Sequence, residues 1–343
     1  MKERKDYLDI AKGLLMIIVI FHHIAFQAKM VGLENGCIQW NFTFLPFYSA
    51  WFMPAFFFIT GYCTTFEKPF GPFILKNLTT LIWPMVMLGL IDFLFCYCVW
   101  GLEGVEKDWD TYFLICGINW FLISLFISKS VYWLIVKWLK SELFRLVIVT
   151  IIAVLAIYCN DIEFLGGNWL HHRHGLYLTL FLCLGQVAKN HELIFNKVLL
   201  WVSLAYGLCV LAGCLFSWPP IGIAGLWMSF DVFYMPIHVL LAILGICFII
   251  WISKCIGTNA FLQYVGKNSL VIYIFHTSIL KLFVWYISLY ILNPQNRLEA
   301  SIFNLICVVG TCLVCLVLCV VLNLNGLHWL VSFPADKLQR RVL

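Results

Sequence analysis

The sequence predicts an all-α, polytopic integral membrane protein of about ten transmembrane helices, with both termini cytoplasmic and residues 1–343 forming one transmembrane domain. Three observations predict it. Hydrophobic residues make up 63% of the chain and charged residues 11%, against about 25% charged in a soluble domain. The mean hydropathy is +0.95. The apolar residues also fall in runs of about 20, the length that crosses a hydrocarbon core as helix. A β-barrel would show short alternating segments instead.

Ten spans can be drawn in order. The first, about 12–31, follows a stretch charged with both signs, lacks a small-residue cleavage site and contains two histidines. It reads as a retained span and not as a signal peptide. The second, 44–65, contains Pro54 in WFMPAFFFITGY, which is expected to kink or break it. The third, 78–100, holds Trp83–Pro84, with a similar effect, and Asp92. An ionised carboxylate is costly there, so Asp92 is expected to pair with a helix neighbour or stay protonated. The fourth is 112–135; the fifth and sixth, 144–159 and 174–189, are short. The seventh, eighth, ninth and tenth are 197–216, 232–252, 268–290 and 300–323. The 15 cysteines lie mostly inside apolar runs, as Cys307, Cys312, Cys315 and Cys319 do, and read as small hydrophobes.

Charge supports the even count. With the N-terminus inside and each span reversing direction, 17 of the 22 basic residues fall on the cytoplasmic side, Lys12, Lys76 and Lys129 among them. Lys29, Lys107, Arg173, Lys281 and Arg297 remain outside, with the acidic loop GLEGVEKDWD at 101–110. This is the positive-inside bias. Because the basic residues follow the loops, the net charge of +5 points to no nucleic-acid partner.

The chemistry concentrates in the first span. His23 follows Lys12 by 11 residues, which returns it to within about 20° of the same helix face and about 16 Å further into the bilayer. Asp9, three residues before Lys12, lies near that face and can pair with it. His22 points away by about 100°. An intramembrane ionisable residue is by default a functional candidate, and histidine exchanges protons near neutral pH. The plainer reading of His23 is a hydrogen bond to a neighbouring helix, and for His22 that reading is preferred. Lys12 suits either an anion, such as cofactor phosphates, or anchorage at the inner interface.

The stretch YLDIAKGLLMIIVIFHHI resembles the start of the acyltransferase 3 family, whose pattern D-x-x-[RK]-G-[IL]-x-[IL]-x-x-V-x-x-x-H falls on Asp9, Lys12, Gly13 and His23. PAFFFITGY at 54–62 resembles P-x-F-F-F-[IL]-S-G-[YF], with Thr60 for serine. NWFLISLF at 119–126 resembles W-F-L-x-x-L-F, LTLFLCLG at 178–185 resembles an apolar run ending in glycine, and GKNSLVIYIFHTSI at 266–279 resembles G-x-x-S-L-x-I-Y-x-x-H. The five occur in order along essentially the whole chain. One stretch departs. The family's K-R-x-x-R-L-x-x-P reads ILKNLTTLIWP here, with Lys76 standing for the first basic residue and Thr80 in the place of the second.

The resemblance implies a membrane O-acetyltransferase, similar to fucose 4-O-acetylase-like, exopolysaccharide and nodulation-factor enzymes. It implies transfer of acetyl from cytoplasmic acetyl-CoA to a hydroxyl of a cell-surface or lipid-linked glycan, in a bacterial inner or plasma membrane. No metal is expected. Acceptor sugar, acetyl against succinyl, and direct against covalent transfer stay open. His23 would be base or acyl carrier, with His276 supporting the site; an interhelical hydrogen bond is the alternative for His276. Lys12, Lys76 and Asp9 would serve the donor, and Tyr62, Thr60, Asn119, Trp120 and Arg173 would line the substrate path. A homo-oligomer and a place in polysaccharide-synthesis machinery are both compatible.

The run NWLHHRHG at 168–175, with Asp161 and Glu163 nearby, has atoms suited to zinc but no closed-site spacing. It reads first as an interfacial loop, then as an acceptor-binding loop with Arg173 on a sugar or phosphate. The rival function is a proton-coupled transporter or flippase of lipid-linked sugars, which intramembrane His and Asp would also serve. No internal repeat of two halves supports it. A structural subunit of a synthase complex is the third reading.

Overall fold

The computed structural model describes residues 6–33, 48–101, 120–158, 172–192, 197–215, 232–324 and 326–332, and every long element among them is helical. The helices are α1 (Asp6–Met30), α2 (Phe52–Cys63), α3 (Phe70–Asn77), α4 (Trp83–Trp100), α5 (Trp120–Trp138), α6 (Glu142–Tyr158) and α7 (His172–Asn190). They continue with α8 (Lys197–Leu215), α9 (Met235–Ile256), α10 (Ala260–Lys267), α11 (Ser269–Tyr290), α12 (Arg297–Leu322) and the single turn α13 (His328–Val331). A π-helical turn, Leu78–Ile82, joins α3 to α4.

Six segments are long and apolar enough to cross a membrane: α1, Phe70–Trp100, α5, α9, α11 and α12. The other four expected spans are also helical, at α2, α6, α7 and α8. The chain is thus an all-α, polytopic, largely membrane-apolar protein.

Both expected spans are interrupted next to their prolines: a turn at 49–51 precedes α2, and a π turn precedes α4. Pro54 sits in the first turn of α2, where a missing N–H breaks no intrahelical bond, so the break in the expected span falls at 49–51, just before it. Pro84 lies just past the π turn. A proline inside a helix deprives the carbonyl four residues back of its donor and crowds it, and a wider turn absorbs both effects. Side chains take up carbonyls of this stretch. Thr79 donates to the Leu75 and Lys76 carbonyls at 3.0 Å each, and Thr80 donates to the Lys76 carbonyl at 2.7 Å.

The chain divides into two compact units. In the first, residues 1–56 with 191–317, α1 packs against α9, α10 and α11, and α8 packs on α9. The transmembrane portions of α1 and α11 are 61% buried, against 33% for α9 and α12, so α1 and α11 form the core of this unit. The exposed Val309, Leu313, Val317 and Val320 give α12 a lipid-compatible face. In the second unit, residues 57–190 with 318–343, α7 packs against α5 and α6, and α13 packs on α4, where the Trp83 indole donates to the Trp329 carbonyl at 2.8 Å.

Among the described residues, each unit has a crossing of backbone on backbone at a pair of glycines. Gly13 of α1 faces the Leu262 carbonyl of α10, and Gly266 of α10 faces the Asp9 carbonyl of α1. In the second unit Gly61 faces the Leu182 carbonyl, and Gly185 faces the Phe58 carbonyl. Helices in lipid gain little from hydrophobicity and associate by such close approach at small residues. Gln186 of α7 adds hydrogen bonds to the Gly61 and Thr64 carbonyls at the end of α2.

Candidate active site

The site begins with the first helix. Asp9 is 2% exposed, and its carboxylate accepts from the Lys12 ammonium at 3.3 Å. The pair sits where Gly13 and Gly266 bring α1 against α10, so the crossing fixes the backbone that carries it. The face predicted to hold Asp9, Lys12 and His23 therefore exists, and Asp9 supplies the counter-charge of Lys12.

His23 lies one turn beyond Val19. Its Nδ1 is 2.8 Å from the Val19 carbonyl oxygen. A carbonyl only accepts, so Nδ1 carries the proton and Nε2 of the neutral ring keeps its lone pair. His276 on α11 has the same arrangement, with Nδ1 2.6 Å from the Tyr273 carbonyl. Its Nε2 is buried and has no hydrogen-bond partner. A buried acceptor left without a donor is costly, and such atoms call for an explanation such as a catalytic role or a bound group. The two rings meet edge to face, with centroids 4.9 Å apart. Two separate helices thus bring two imidazoles together, each with its tautomer set by its own backbone.

These rings belong to a longer run: Tyr48 against His22, His22 against His23, His23 against His276, and His276 against Tyr273. His22 is held by packing. It lies among Tyr48, Phe26 and Phe52, and its Nδ1 is 3.4 Å from the Tyr48 hydroxyl. A tightly packed His22 limits the motion of its neighbour.

The remaining predicted residues lie in the second unit. Thr60 and Tyr62 are on α2, with Tyr62 buried. Lys76 is exposed near the end of α3. Trp120 begins α5, and its indole lies 5.0 Å from the ring of His174. Arg173 and His174, in the first turn of α7, are both buried and not part of a loop, which corrects the looser reading of this run. Asp92 is buried in α4. Asn119, His171, Asp161 and Glu163 lie outside the described residues.

Sequence reading missed several participants. Tyr48 carried no motif signal. Gln186 and the buried His238 of α9 are lone polar residues in apolar runs, a signal that was present but unused. Lys129, counted with the cytoplasmic charges, is the middle residue of the 19-residue α5.

The paired imidazoles and the paired motif glycines agree with one family. Its sequence model, described as an acyltransferase domain, matches residues 5–323. The chain belongs to the acyltransferase 3 family. Searches of curated proteins and of solved structures found no match. Acyltransferase 3 proteins draw on acyl-CoA donors as a class.

Proposed function

We propose that this protein is a membrane O-acetyltransferase that moves acetyl from cytoplasmic acetyl-CoA to a sugar hydroxyl of a cell-surface or lipid-linked glycan. It would act in a bacterial inner or plasma membrane as a single ten-span domain with cytoplasmic termini. The observation that carries the reading is the His23–His276 pair with both Nδ1 atoms bonded to carbonyls. Such a pair presents basic Nε2 atoms, that of His276 buried and that of His23 partly accessible.

As a base, His23 Nε2 takes the proton of the acceptor hydroxyl while its oxygen attacks the thioester carbonyl. Collapse of the tetrahedral oxyanion breaks the C–S bond, and the imidazolium returns the proton to the departing thiolate. As an acyl carrier, the same lone pair attacks the thioester carbonyl and the C–S bond breaks to release the thiolate; the acceptor hydroxyl then attacks the acyl group on Nε2, the N–C bond breaks, and the hydroxyl proton passes to the thiolate. Either path needs donors for the oxyanion. Tyr62, Thr60, Asn119, Trp120 and Arg173 would line the path. Asp9 orients Lys12, which with Lys76 would attract the donor.

The test is transfer of labelled acetyl from acetyl-CoA in membranes containing the protein, with lipid and glycan products separated. Label in the glycan fraction of the wild type, absent with His23→Ala, supports the reading. Label that persists with His23→Ala removes His23 from the chemistry. No label in a folded wild type with its glycan pool present favours transport over transfer.

A further inference from the structure

Gln27 of α1 is 7% exposed, and its side-chain oxygen is buried with no hydrogen-bond partner among the described residues. It stands four residues beyond His23 on the same helix. That spacing puts two side chains on one face, with their β-carbons about 6 Å apart. His276 touches His23 from α11, and its Nε2 is buried and unpartnered as well. All three residues belong to the first unit. Two orphan acceptors thus adjoin one imidazole, one across the α1–α11 contact and one a turn further along α1.

The local packing explains why neither finds a donor. α10 meets α1 at Asp9 and leads straight into α11, which meets α1 again at His23, so α1 and α11 run the same way. Past His276, the residues that α11 buries are mostly aliphatic, Ile279, Leu280, Val284 and Ile287 among them. A buried acceptor without a donor destabilises a fold, whereas an apolar side chain of the same shape would not. Such an atom is explained by a group that reaches it from outside the fold.

The atoms specify that group. Both accept, and neither the amide nor the neutral ring carries a charge, so an uncharged donor fits and a carboxylate or phosphate does not. A hydroxyl both donates and accepts, so it satisfies the Gln27 amide in either orientation of its oxygen and nitrogen. Position along α1 separates this group from the acyl donor. Gln27 is three residues from the end of α1 and 15 beyond Lys12, about 22 Å along the axis, with His23 between them.

We infer that His276 Nε2 and Gln27 Oε1 bind acceptor hydroxyls adjoining the one that is acetylated. The acceptor is then a sugar with free vicinal hydroxyls at the reacting position, not an isolated alcohol, and Gln27 is a specificity residue. This rests on the acetyl-transfer reading above.

The test uses membranes with their natural glycan pool and isotope-labelled acetyl-CoA, for wild type and Gln27→Met. Methionine keeps the length of the side chain and removes both polar atoms. NMR of the wild-type product should place the acetyl group beside a carbon that bears a free hydroxyl. At limiting acceptor, Gln27→Met should acetylate glycan about tenfold more slowly, with its coenzyme A affinity in nanodiscs within about twofold of wild type. Without ligand it should unfold at the wild-type temperature or above, because an unsatisfied buried atom has been removed. Four results overturn the assignment and leave acetyl transfer intact: an acetyl group with no free hydroxyl on a neighbouring carbon, a wild-type rate for Gln27→Met, an equal loss of coenzyme A affinity, or earlier unfolding, which makes Gln27 structural. A folded wild type that binds coenzyme A and labels no glycan overturns the acetyl-transfer reading and this assignment with it.

Discussion

Replacing Gly13 by alanine should push α1 and α10 apart. A methyl group there would lie 3.0 Å from the Leu262 carbonyl carbon and nearer still to its oxygen. At Gly266 the corresponding methyl would lie 2.7 Å from the Asp9 carbonyl carbon. Carbon atoms pack comfortably at about 3.5–4.0 Å, so each substitution demands a displacement of about 1 Å. Neither clash can be relieved by a rotamer change, because backbone is what is met. A gap of that size forfeits a quarter to a half of each dispersion contact along the crossing. With the usual cost of overpacking, the destabilisation is about 2–3 kcal/mol for either variant. The double variant should cost less than the sum, because one displacement makes room for both methyl groups. Gly71→Ala is the control: nothing lies within 4 Å of its added carbon, so its effect should stay within about 0.5 kcal/mol. SDS titration followed by tryptophan fluorescence reads all four. Gly13→Ala and Gly266→Ala indistinguishable from Gly71→Ala, or a strictly additive double variant, would refute the close-approach argument.

Three further outcomes follow from the same structure. The Lys12 side chain is 26% exposed and that of Asp9 3%, so the pair is asymmetric. Lys12→Met removes a counter-charge from a buried carboxylate and should cost more than Asp9→Asn, which leaves an ammonium that reaches water and should cost about 1–2 kcal/mol, both read by the same titration. Gln186→Leu removes the donor to the Gly61 and Thr64 carbonyls and should cost about 1–2 kcal/mol, with no change for the isolated effect of Gly71→Ala. Topology is read by a membrane-impermeant maleimide and peptide mass spectrometry. Cys63, Cys98 and Cys255 are exposed. With cytoplasmic termini, intact cells should label Cys98 and inverted vesicles should label Cys63 and Cys255; the reverse pattern contradicts the orientation.

Much of the fold was legible because lipid leaves few choices. Runs of apolar residues had to be helices, and their positions followed. Pro54 marked the break of the expected span 44–65, but its side was not legible: the turn at 49–51 precedes the proline, which lies in the first turn of α2. The Asp9–Lys12 pair could be read from a spacing of three on one helix. The His23–His276 contact could not, since 253 positions separate them in the chain and no periodicity links α1 to α11. Motif glycines were visible at Gly13, Gly61, Gly185 and Gly266, but not that each faces a carbonyl of its partner helix. The packing of Phe73 on Trp133, which brings α3 against α5, could not be read from the sequence either, since 60 positions separate the two rings.

The most direct test of the paired-imidazole account is the single-turnover rate of acetyl transfer in membranes of wild type, His23→Gln and His276→Gln, at matched protein levels and matched unfolding temperatures. Loss of the Nε2 base at His23 predicts a fall of about 10²–10⁴, and His276→Gln predicts a fall in the same direction. A folded His23→Gln protein that transfers acetyl at close to the wild-type rate would contradict the account.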